Sequence, residues 1–212
     1  MIAIVDYGAG NLRSVANAIT KVGYQTQITS QASDLFSAKA IVLPGVGAAA
    51  NVMDNLNKRG LANPIRQLID EGRPFLGVCI GLQVLFTDTE EGGRHDCLDI
   101  ISGRVRKLPI GLKIPHMGWN QVNQKVNHPV FNGIPDEANF YFVHSYYVEP
   151  EDKSIVVGET DYDLSFCSVI ARENLIATQF HPEKSGDYGL RIYTNFLKLA
   201  IGAKRGNRMG II

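Results

Sequence analysis

Over about the first ninety residues, short apolar runs alternate with segments whose apolar residues recur every three or four positions. The apolar runs at residues 2–5, 40–43 and 75–79 have the length of buried strands. The segments between them carry apolar residues along one helical face, as Leu12 and Val15 do in the first of these segments. Strands that alternate with helices predict a parallel sheet with helices on both faces.

The second half of the chain predicts antiparallel strands and one last helix. Runs rich in β-branched and aromatic residues, bounded by Gly, Pro and Asn, favour strands there. These runs are residues 104–107, 120–122, 141–143, 154–157, 166–170 and 175–179, and a helix is predicted over 187–201. We therefore expect an α/β fold with a mostly parallel central sheet covered by helices on both faces and additional antiparallel strands in the C-terminal half. Residues 1–203 are expected to form a single domain, and the basic residues 204–212 a frayed tail.

Composition narrows the class of protein. The 212 residues include 21 Lys and Arg and 21 Asp and Glu, so net charge favours neither nucleic acid nor an anionic membrane as a partner. No apolar run is long enough to span a bilayer, and the first residues lack the basic flank of a secretory signal. Cys79, Cys97 and Cys167 are odd in number and widely spaced, which predicts neither disulfides nor a zinc site. We expect a cytoplasmic protein without a metal or cofactor.

A buried strand in the first half ends in the pattern Gly77-x-Cys79-x-Gly81. Leu82 and Leu85 continue at helical spacing, so the pattern predicts a strand, a tight turn and a helix, with Cys79 at the turn. Hydrolases with a nucleophile elbow use flanking glycines because a strained turn then holds the nucleophile out of the sheet. The N-terminus of the following helix would favour the thiolate. The alternative is that Cys79 is a small buried apolar residue.

A candidate partner for Cys79 lies at the end of the last predicted strand. His181 and Glu183 are two positions apart, so both side chains would project to one side of an extended chain. A carboxylate beside an imidazole fixes its tautomer and stabilises the imidazolium, as in nucleophilic triads. A His-x-Glu pair also occurs in zinc deaminases, but the Pro-Cys-x-x-Cys that they need is absent from this sequence. Because parallel strands end at one edge of a sheet, the three side chains are predicted to meet there.

The first loop carries a weaker motif, Gly8-x-Gly10. A dinucleotide-binding loop would need a third glycine where Arg13 stands, so a simple strand-to-helix connection is the better interpretation. Asn11, just before the first helix, is predicted to cap it.

Three segments of the chain resemble the class I, or triad, glutamine amidotransferases. They are the elbow from Gly77 to Gln83, residues 180–183 (Phe-His-Pro-Glu) and residues 44–47 (Pro-Gly-Val-Gly). The resemblance implies that the Cys79 thiolate attacks the glutamine carboxamide, that His181 transfers protons, and that Glu183 orients His181.

The same resemblance implies an oxyanion hole and a substrate site. Backbone N–H groups of Ile80 and of the 44–47 loop, at Val46 and Gly47, would hold the oxyanion. The residues implied to bind glutamine are Gly47, Gln83, His144, Ser145 and Tyr146. For the last three, an ordinary strand end is the alternative.

Further segments, at residues 6–11, 115–120 and 141–146, resemble the glutaminase subunits of imidazole glycerol phosphate synthases. This resemblance implies a heterodimer with a cyclase subunit, a (β/α)8 barrel, to which ammonia is channelled. The acceptor would be the phosphoribulosyl formimino aminoimidazole carboxamide nucleotide of histidine biosynthesis. The apolar block that holds the one tryptophan is either a core corner or an exposed anchor. Residues implied to face the partner are Asn11, Pro115, Met117, Trp119 and Lys184.

Val46 departs from the many class I relatives that carry glycine at this position. A β-branched residue resists positive φ, so a peptide flip that turns an N–H toward the oxyanion should be costly. We therefore expect the oxyanion hole of the isolated chain to be misformed, until the partner with its acceptor bound supplies the energy to form it.

Three other functions stay open at this point. A paralogous subunit could feed ammonia to a different synthase, since the triad does not identify the acceptor. A non-catalytic regulatory module could keep the fold, although an intact set of Cys79, His181 and Glu183 argues against it. A cysteine hydrolase or peptidase with a similar elbow would need neither Gln83 nor the 115–120 block.

Overall fold

Thirteen strands and six α-helices form the part of the chain that the computed structural model describes, residues 1–8 and 11–202. The strands are β1 (Ile2–Val5), β2 (Thr26–Thr29), β3 (Ala40–Gly45), β4 (Phe75–Cys79), β5 (Phe86–Thr89), β6 (His95–Asp96), β7 (Ile101–Lys107), β8 (His116–Gln124), β9 (Ala138–His144), β10 (Tyr146–Pro150), β11 (Val156–Asp161), β12 (Ser165–Arg172) and β13 (Leu175–Thr178). The α-helices are α1 (Leu12–Lys21), α2 (Ala32–Ser37), α3 (Ala49–Lys58), α4 (Ala62–Asp70), α5 (Ile80–Gln83) and α6 (Gly186–Gly202).

Five strands, in the order β2-β1-β3-β4-β13, run parallel along one side of the sheet. Four of them, β1, β3, β4 and β13, are buried along their whole length, which explains their continuous apolar sequences. Two groups of helices pack around this part: α1 with α6, and α2 and α3 with α4. The prediction of an α/β fold with a parallel core is confirmed.

The sheet continues beyond β13 with antiparallel strands from the second half of the chain, as predicted. β12, β10 and β7 follow β13 in that order, and β5 and β6 complete this side. β11 pairs with β12 and with β8, and β8 pairs with β9. The backbone N–H of His181 donates to the Tyr141 carbonyl of β9 at 2.9 Å, so this branch of the sheet packs against the segment after β13.

The carboxyl ends of β3, β4 and β13 lie side by side. Gly45 of β3 is paired with Cys79, and Thr178 of β13 is paired with Val78. The residues that follow these three strands therefore share one edge of the sheet, where sites in parallel sheets form.

The segment after Cys79 differs from the predicted helix. α5 has only four residues, and Phe86–Thr89 forms β5 where the helix was expected to continue. The carbonyls of Val84 and Leu85 accept N–H groups of Leu98 and Ile100, at 2.8 and 2.9 Å, and so are not available to a longer helix. Because four residues sum few peptide dipoles, the expected helix-dipole support for the thiolate is correspondingly small.

Smaller differences concern the remaining elements, among them β6 and β10, which were not predicted. Strand β11 begins only at Val156, since the Asp152 side chain accepts the Ser154 N–H at 2.9 Å and caps a 3-10 turn over Lys153–Ile155. β2 and α2 were not predicted; β2 is an edge strand with the mixed sequence TQIT rather than an apolar run. The predicted tail at 204–212 lies outside the described residues. Within the described residues, no helix is both long and apolar enough to cross a membrane.

Candidate active site

Cys79 occupies a strained turn at the end of β4. Its φ of 55° and ψ of −107° lie in a region that residues other than glycine avoid. Close backbone packing explains the two glycines. A Cβ at Gly81 would lie 1.9 Å from the carbonyl oxygen of Leu43, and one at Gly77 would lie 2.6 Å from the carbonyl oxygen of Gly81. The turn therefore has the geometry of a nucleophile elbow, with Cys79 at its tip.

A cavity of about 340 Å³ opens beside Cys79 at this edge of the sheet. It brings together the residues predicted for the oxyanion hole and for substrate binding, and two of those predicted to face a partner. The predicted residues that line it are Val46, Gly47, Cys79, Ile80, Gln83, Pro115, His144, Ser145, Tyr146, His181 and Lys184. A larger cavity, of about 470 Å³, lies at the opposite end of β4 and β13 beside Pro74 and Asn174, and it contains none of these residues.

His181 and Glu183 are in contact, with Nδ1 2.8 Å from Oε1, and both side chains are buried. The extended backbone expected for them is wrong: Pro182–Lys184 is a 3-10 turn, closed by the Lys184 N–H donating to the His181 carbonyl at 3.0 Å. This tight turn brings the Glu183 carboxylate back against the imidazole of His181. Glu183 also accepts the Tyr193 hydroxyl on Oε2, at 3.3 Å.

Asn11 does not cap α1 as predicted. Its φ is 74°, and its side chain makes no capping hydrogen bond. Its Nδ2 donates instead to Glu183 Oε1, so Asn11 connects the start of α1 with the buried carboxylate. A long-range partner has thus replaced the local one.

The second ring nitrogen of His181, Nε2, is buried and has no hydrogen-bond partner within the described chain. The ring lines the same cavity as Cys79. Burial lowers the pKa of His181, but the Cys79 sulfur and the Glu183 carboxylate raise it to about 10. The imidazolium form of His181 is therefore favoured.

His144, which lines the cavity, forms a buried pair with His116. Burial lowers the pKa of His144 to about 3 and that of His116 to about 4, so both rings are neutral near pH 7. The Tyr146 carbonyl, 2.8 Å from His144 Nδ1, can only accept, so Nδ1 carries the proton. His144 Nε2 then accepts from His116 Nδ1 at 2.9 Å. Both ring nitrogens of His144 thus have hydrogen-bond partners within the protein, and Ser145 lines the cavity beside it.

An apolar surface adjoins the cavity. Met117 and Trp119 on β8 are 60% and 57% exposed. Trp119 packs edge-on against Tyr141, with 6.0 Å between ring centroids, and Lys184 Nζ lies 5.7 Å from the centre of the same tyrosine ring. We call these four residues the Trp119 surface. Pro115, just before β8, lines the cavity, so the surface extends to its rim. Exposed Trp and Met are typical of protein–protein interfaces.

The loop after β3 contains one residue with positive φ, Gly47 at 95°, while Val46 is not in that region. The buried Tyr7 hydroxyl lies against this loop, since a Cβ at Gly45 would be 2.9 Å from it. Burial raises the pKa of Tyr7, and the Val46 amide beside its oxygen acts in the opposite direction. The Tyr7 hydroxyl has no hydrogen-bond partner among the described residues.

Two residues that the sequence did not single out also reach the site. Glu91 lines the cavity, and its Oε2 accepts the Ala49 N–H at the start of α3, at 2.7 Å. Gln179 follows β13 directly, and its Nε2 lies 3.7 Å from Cys79 Sγ. The position of Gln179 at the end of a predicted strand could have indicated that it belongs to the site. Glu91 is one of several acidic residues in a polar stretch, and nothing in the sequence distinguishes it as a site residue.

An α/β sheet with a cysteine on an elbow and a buried His–Glu pair beside it is the arrangement of cysteine-dependent hydrolases. The sequence matches the family described as glutamine amidotransferase class-I over residues 3–199, and the chain belongs to that family.

Similar proteins include two that are named imidazole glycerol phosphate synthase subunit HisH. The one from Dehalococcoides mccartyi (strain CBDB1) is 55% identical over 205 residues, which cover 97% of this chain and 100% of that protein. The one from Syntrophotalea carbinolica is 50% identical over 203 residues, covering 92% and 98%. A solved structure described as PurLQS from Thermotoga maritima superimposes with a TM-score of 0.74 at 18% identity, covering 93% of this chain and 97% of that one. At that identity the likeness concerns the fold.

Proposed function

We propose that the chain is the glutaminase subunit of an imidazole glycerol phosphate synthase. It would hydrolyse glutamine to glutamate and ammonia and pass the ammonia to a cyclase subunit for histidine biosynthesis. The observation that carries this proposal is that Cys79 and His181 line one cavity, with Glu183 bonded to His181 Nδ1. Family membership supports glutamine as the substrate, and the names of the relatives support this particular synthase.

In the first half of the proposed reaction, the Cys79 thiolate forms a bond to the carboxamide carbon of glutamine, and the carbonyl electrons move onto oxygen. The N–H of Ile80 would hold this oxyanion, because the first N–H groups of a helix have no intrahelical partner. An N–H of the Val46–Gly47 segment would supply the second donor. The carbon–nitrogen bond then breaks, and the departing nitrogen takes a proton from His181 Nε2.

In the second half, His181 Nε2 removes a proton from water as the water oxygen attacks the thioester. The carbon–sulfur bond breaks, and the sulfur leaves as thiolate with glutamate as the product. One glutamine and one water thus give one glutamate and one ammonia. Throughout, Glu183 holds the His181 Nδ1–H and stabilises the ring when it is charged.

The remaining cavity residues are proposed to bind the amino-acid part of glutamine. Gly47 and residues 144–146 would offer backbone groups, and Gln83 would offer its Oε1, which is buried and without a hydrogen-bond partner in the described part of the chain. Glu91 brings a carboxylate to the same cavity and suits the α-ammonium group.

The partner is proposed to be a (β/α)8-barrel cyclase that docks on the Trp119 surface. Asn11, Pro115, Met117, Trp119 and Lys184 are the residues proposed for this contact. Because Pro115 and Lys184 also line the cavity, a partner seated there would cover its rim. Ammonia in bulk water at neutral pH is mostly non-nucleophilic ammonium, so a covered route serves the transfer.

The proposal also treats residues 1–203 as one domain. It places the protein in the cytoplasm, which the three unpaired buried cysteines support.

The test combines the chain with a candidate cyclase subunit and measures glutamate release with and without the acceptor nucleotide. We expect the nucleotide to increase turnover in the complex, and Cys79→Ala to abolish it. Cys97→Ala is the matched control: Cys97 is also buried, and burial, together with nearby acidic residues, raises its pKa to about 12, which makes it a poor nucleophile. Undiminished hydrolysis by Cys79→Ala would refute the catalytic proposal, and no response to cyclase and nucleotide would refute the choice of synthase.

A further inference from the structure

Gln179 is a fully buried polar residue that contacts the proposed nucleophile and has no part in the reaction described above. Its backbone N–H donates to the Ser168 carbonyl at 2.8 Å, which extends the β12–β13 pairing by one residue. Its side-chain Nε2 lies 3.7 Å from Cys79 Sγ, within the range of a hydrogen bond to sulfur. The side chain is therefore held by the sheet and directed at the reacting atom.

Neighbouring groups determine which end of the Gln179 amide faces the sulfur. The Tyr146 carbonyl can only accept, and Gln83 Nε2 lies 2.9 Å from it, so the amino group of Gln83 is on that side. The same amino group lies 3.2 Å from Gln179 Oε1, to which it donates its second hydrogen. Gln179 therefore presents its oxygen to Gln83 and its own amino group to Cys79.

The two polar contacts of Cys79 Sγ suit opposite protonation states. The Val143 carbonyl oxygen, 3.8 Å away, can accept a hydrogen bond from the thiol but would repel a thiolate. The Gln179 amino group can donate to a thiolate. Cys79 is only 3% exposed, so water can do little to stabilise the sulfur anion.

We propose that Gln179 is a further catalytic residue whose side-chain amide donates a hydrogen bond to the Cys79 thiolate. This inference rests on the proposed function, because it takes Cys79 as the nucleophile. When the thiol proton passes to His181 Nε2, the sulfur keeps the electron pair, loses its bond to the Val143 carbonyl and accepts the Gln179 N–H. The same donor stabilises the sulfur when it leaves the thioester.

The test follows the alkylation of Cys79 by iodoacetamide as a function of pH in the full-length chain, with peptide mass spectrometry to quantify modified Cys79. Gln179→Met keeps the length of the side chain and removes the hydrogen-bond donor. We expect the pH at which alkylation of Cys79 is half-maximal, its midpoint, to rise by about one unit. Gln179→Glu keeps the shape and the acceptor for Gln83 but turns an oxygen toward the sulfur, and we expect a larger upward move. For the Met variant, kcat for glutamine hydrolysis should fall about tenfold.

Ser168→Ala is the matched control for packing. Ser168 is buried on the neighbouring strand, its hydroxyl has no hydrogen-bond partner among the described residues, and it does not contact the sulfur. We expect the alkylation midpoint of Ser168→Ala to equal that of the chain without substitutions. If Gln179→Met does not fold, the isosteric Glu variant decides the matter. An unmoved midpoint in Gln179→Glu, with Cys79→Ala inactive, overturns the role of Gln179 and leaves the proposed function standing. Active Cys79→Ala overturns the function itself.

Discussion

Replacing Glu183 with Gln removes one charge from the site while keeping its shape. The buried carboxylate holds His181 Nδ1 at 2.8 Å, and it accepts hydrogen bonds from Asn11 and Tyr193. A glutamine can turn its oxygen to His181 and Asn11 and its amino group to the Tyr193 hydroxyl, which is able to accept. The hydrogen-bond pattern is thus retained, and the negative charge that stabilises the imidazolium is lost.

The size of the effect follows from the contacts of His181. Burial lowers its pKa, and Cys79 and Glu183 together raise it to about 10. A hydrogen bond to a charged group contributes about 1.5–3 kcal/mol, which corresponds to about one to two pH units in a pKa. We expect the pKa of His181 in Glu183→Gln to fall by that amount. If the same free energy is lost in the transition state, kcat falls about 10- to 150-fold.

The pKa change also predicts how stability depends on pH. The folded pKa of His181 lies above the unfolded value of about 6.5, so its contribution is fully present below that pH and is lost as pH rises through about 10. In Glu183→Gln the loss should still begin at about pH 6.5, but it should be smaller and complete at lower pH, because only the folded pKa falls. Urea unfolding between about pH 6 and pH 10 measures this directly, and glutamate release gives kcat.

Tyr193→Phe is the control for Glu183→Gln, because it removes the hydroxyl bonded to Oε2 and leaves the charge in place. We expect it to lower kcat by less than about fivefold. A Glu183→Gln enzyme with unchanged kcat and an unchanged pH dependence of unfolding would mean that the charge of Glu183 does not support His181.

Three further substitutions test other parts of the site. Val46→Gly should raise the glutaminase activity of the isolated chain, because glycine adopts positive φ freely. Equal activity would show that the branched side chain of Val46 does not limit the activity of the isolated chain. Gly81→Ala should lower the free energy of unfolding by more than about 2 kcal/mol, since its Cβ would lie 1.9 Å from the Leu43 carbonyl oxygen. Gly202→Ala, whose Cβ meets nothing within 4 Å, should be near neutral in the same urea titration. Trp119→Ala should weaken binding to the cyclase about 30-fold by calorimetry. Val126→Ala, exposed but beyond the end of β8, serves as its control and should bind normally; equal affinities would remove Trp119 from the interface.

The elbow could be predicted because its determinants are local. Gly77 and Gly81 flank Cys79 in the sequence, and the structure explains both glycines by backbone contacts at the same turn. The buried parallel strands could also be predicted, since a strand buried on both faces has a continuous apolar sequence, as β3 and β4 do.

The misses arose where distant residues decide the local structure. The segment after Cys79 has apolar residues at helical spacing. The N–H groups of Leu98 and Ile100, however, bond the carbonyls that a longer helix would use, and the chain continues as β5. Asn11 is a residue type that often caps helices, but its side chain donates a hydrogen bond to Glu183, 172 positions away, instead. The contact of Gln179 with the sulfur depends on the pairing of β13 with β4, which no local pattern specifies.

The pairing of β13 with β4 also bears on biosynthesis of the chain. Gln179 and Cys79 are 100 positions apart, and β13 lies in the sheet between β4 and its hairpin partner β12. A nascent or cleaved polypeptide that stops before this hairpin carries the thiol without its acid–base group. Under the proposed mechanism such fragments cannot hydrolyse glutamine, because His181 follows β13 in the chain.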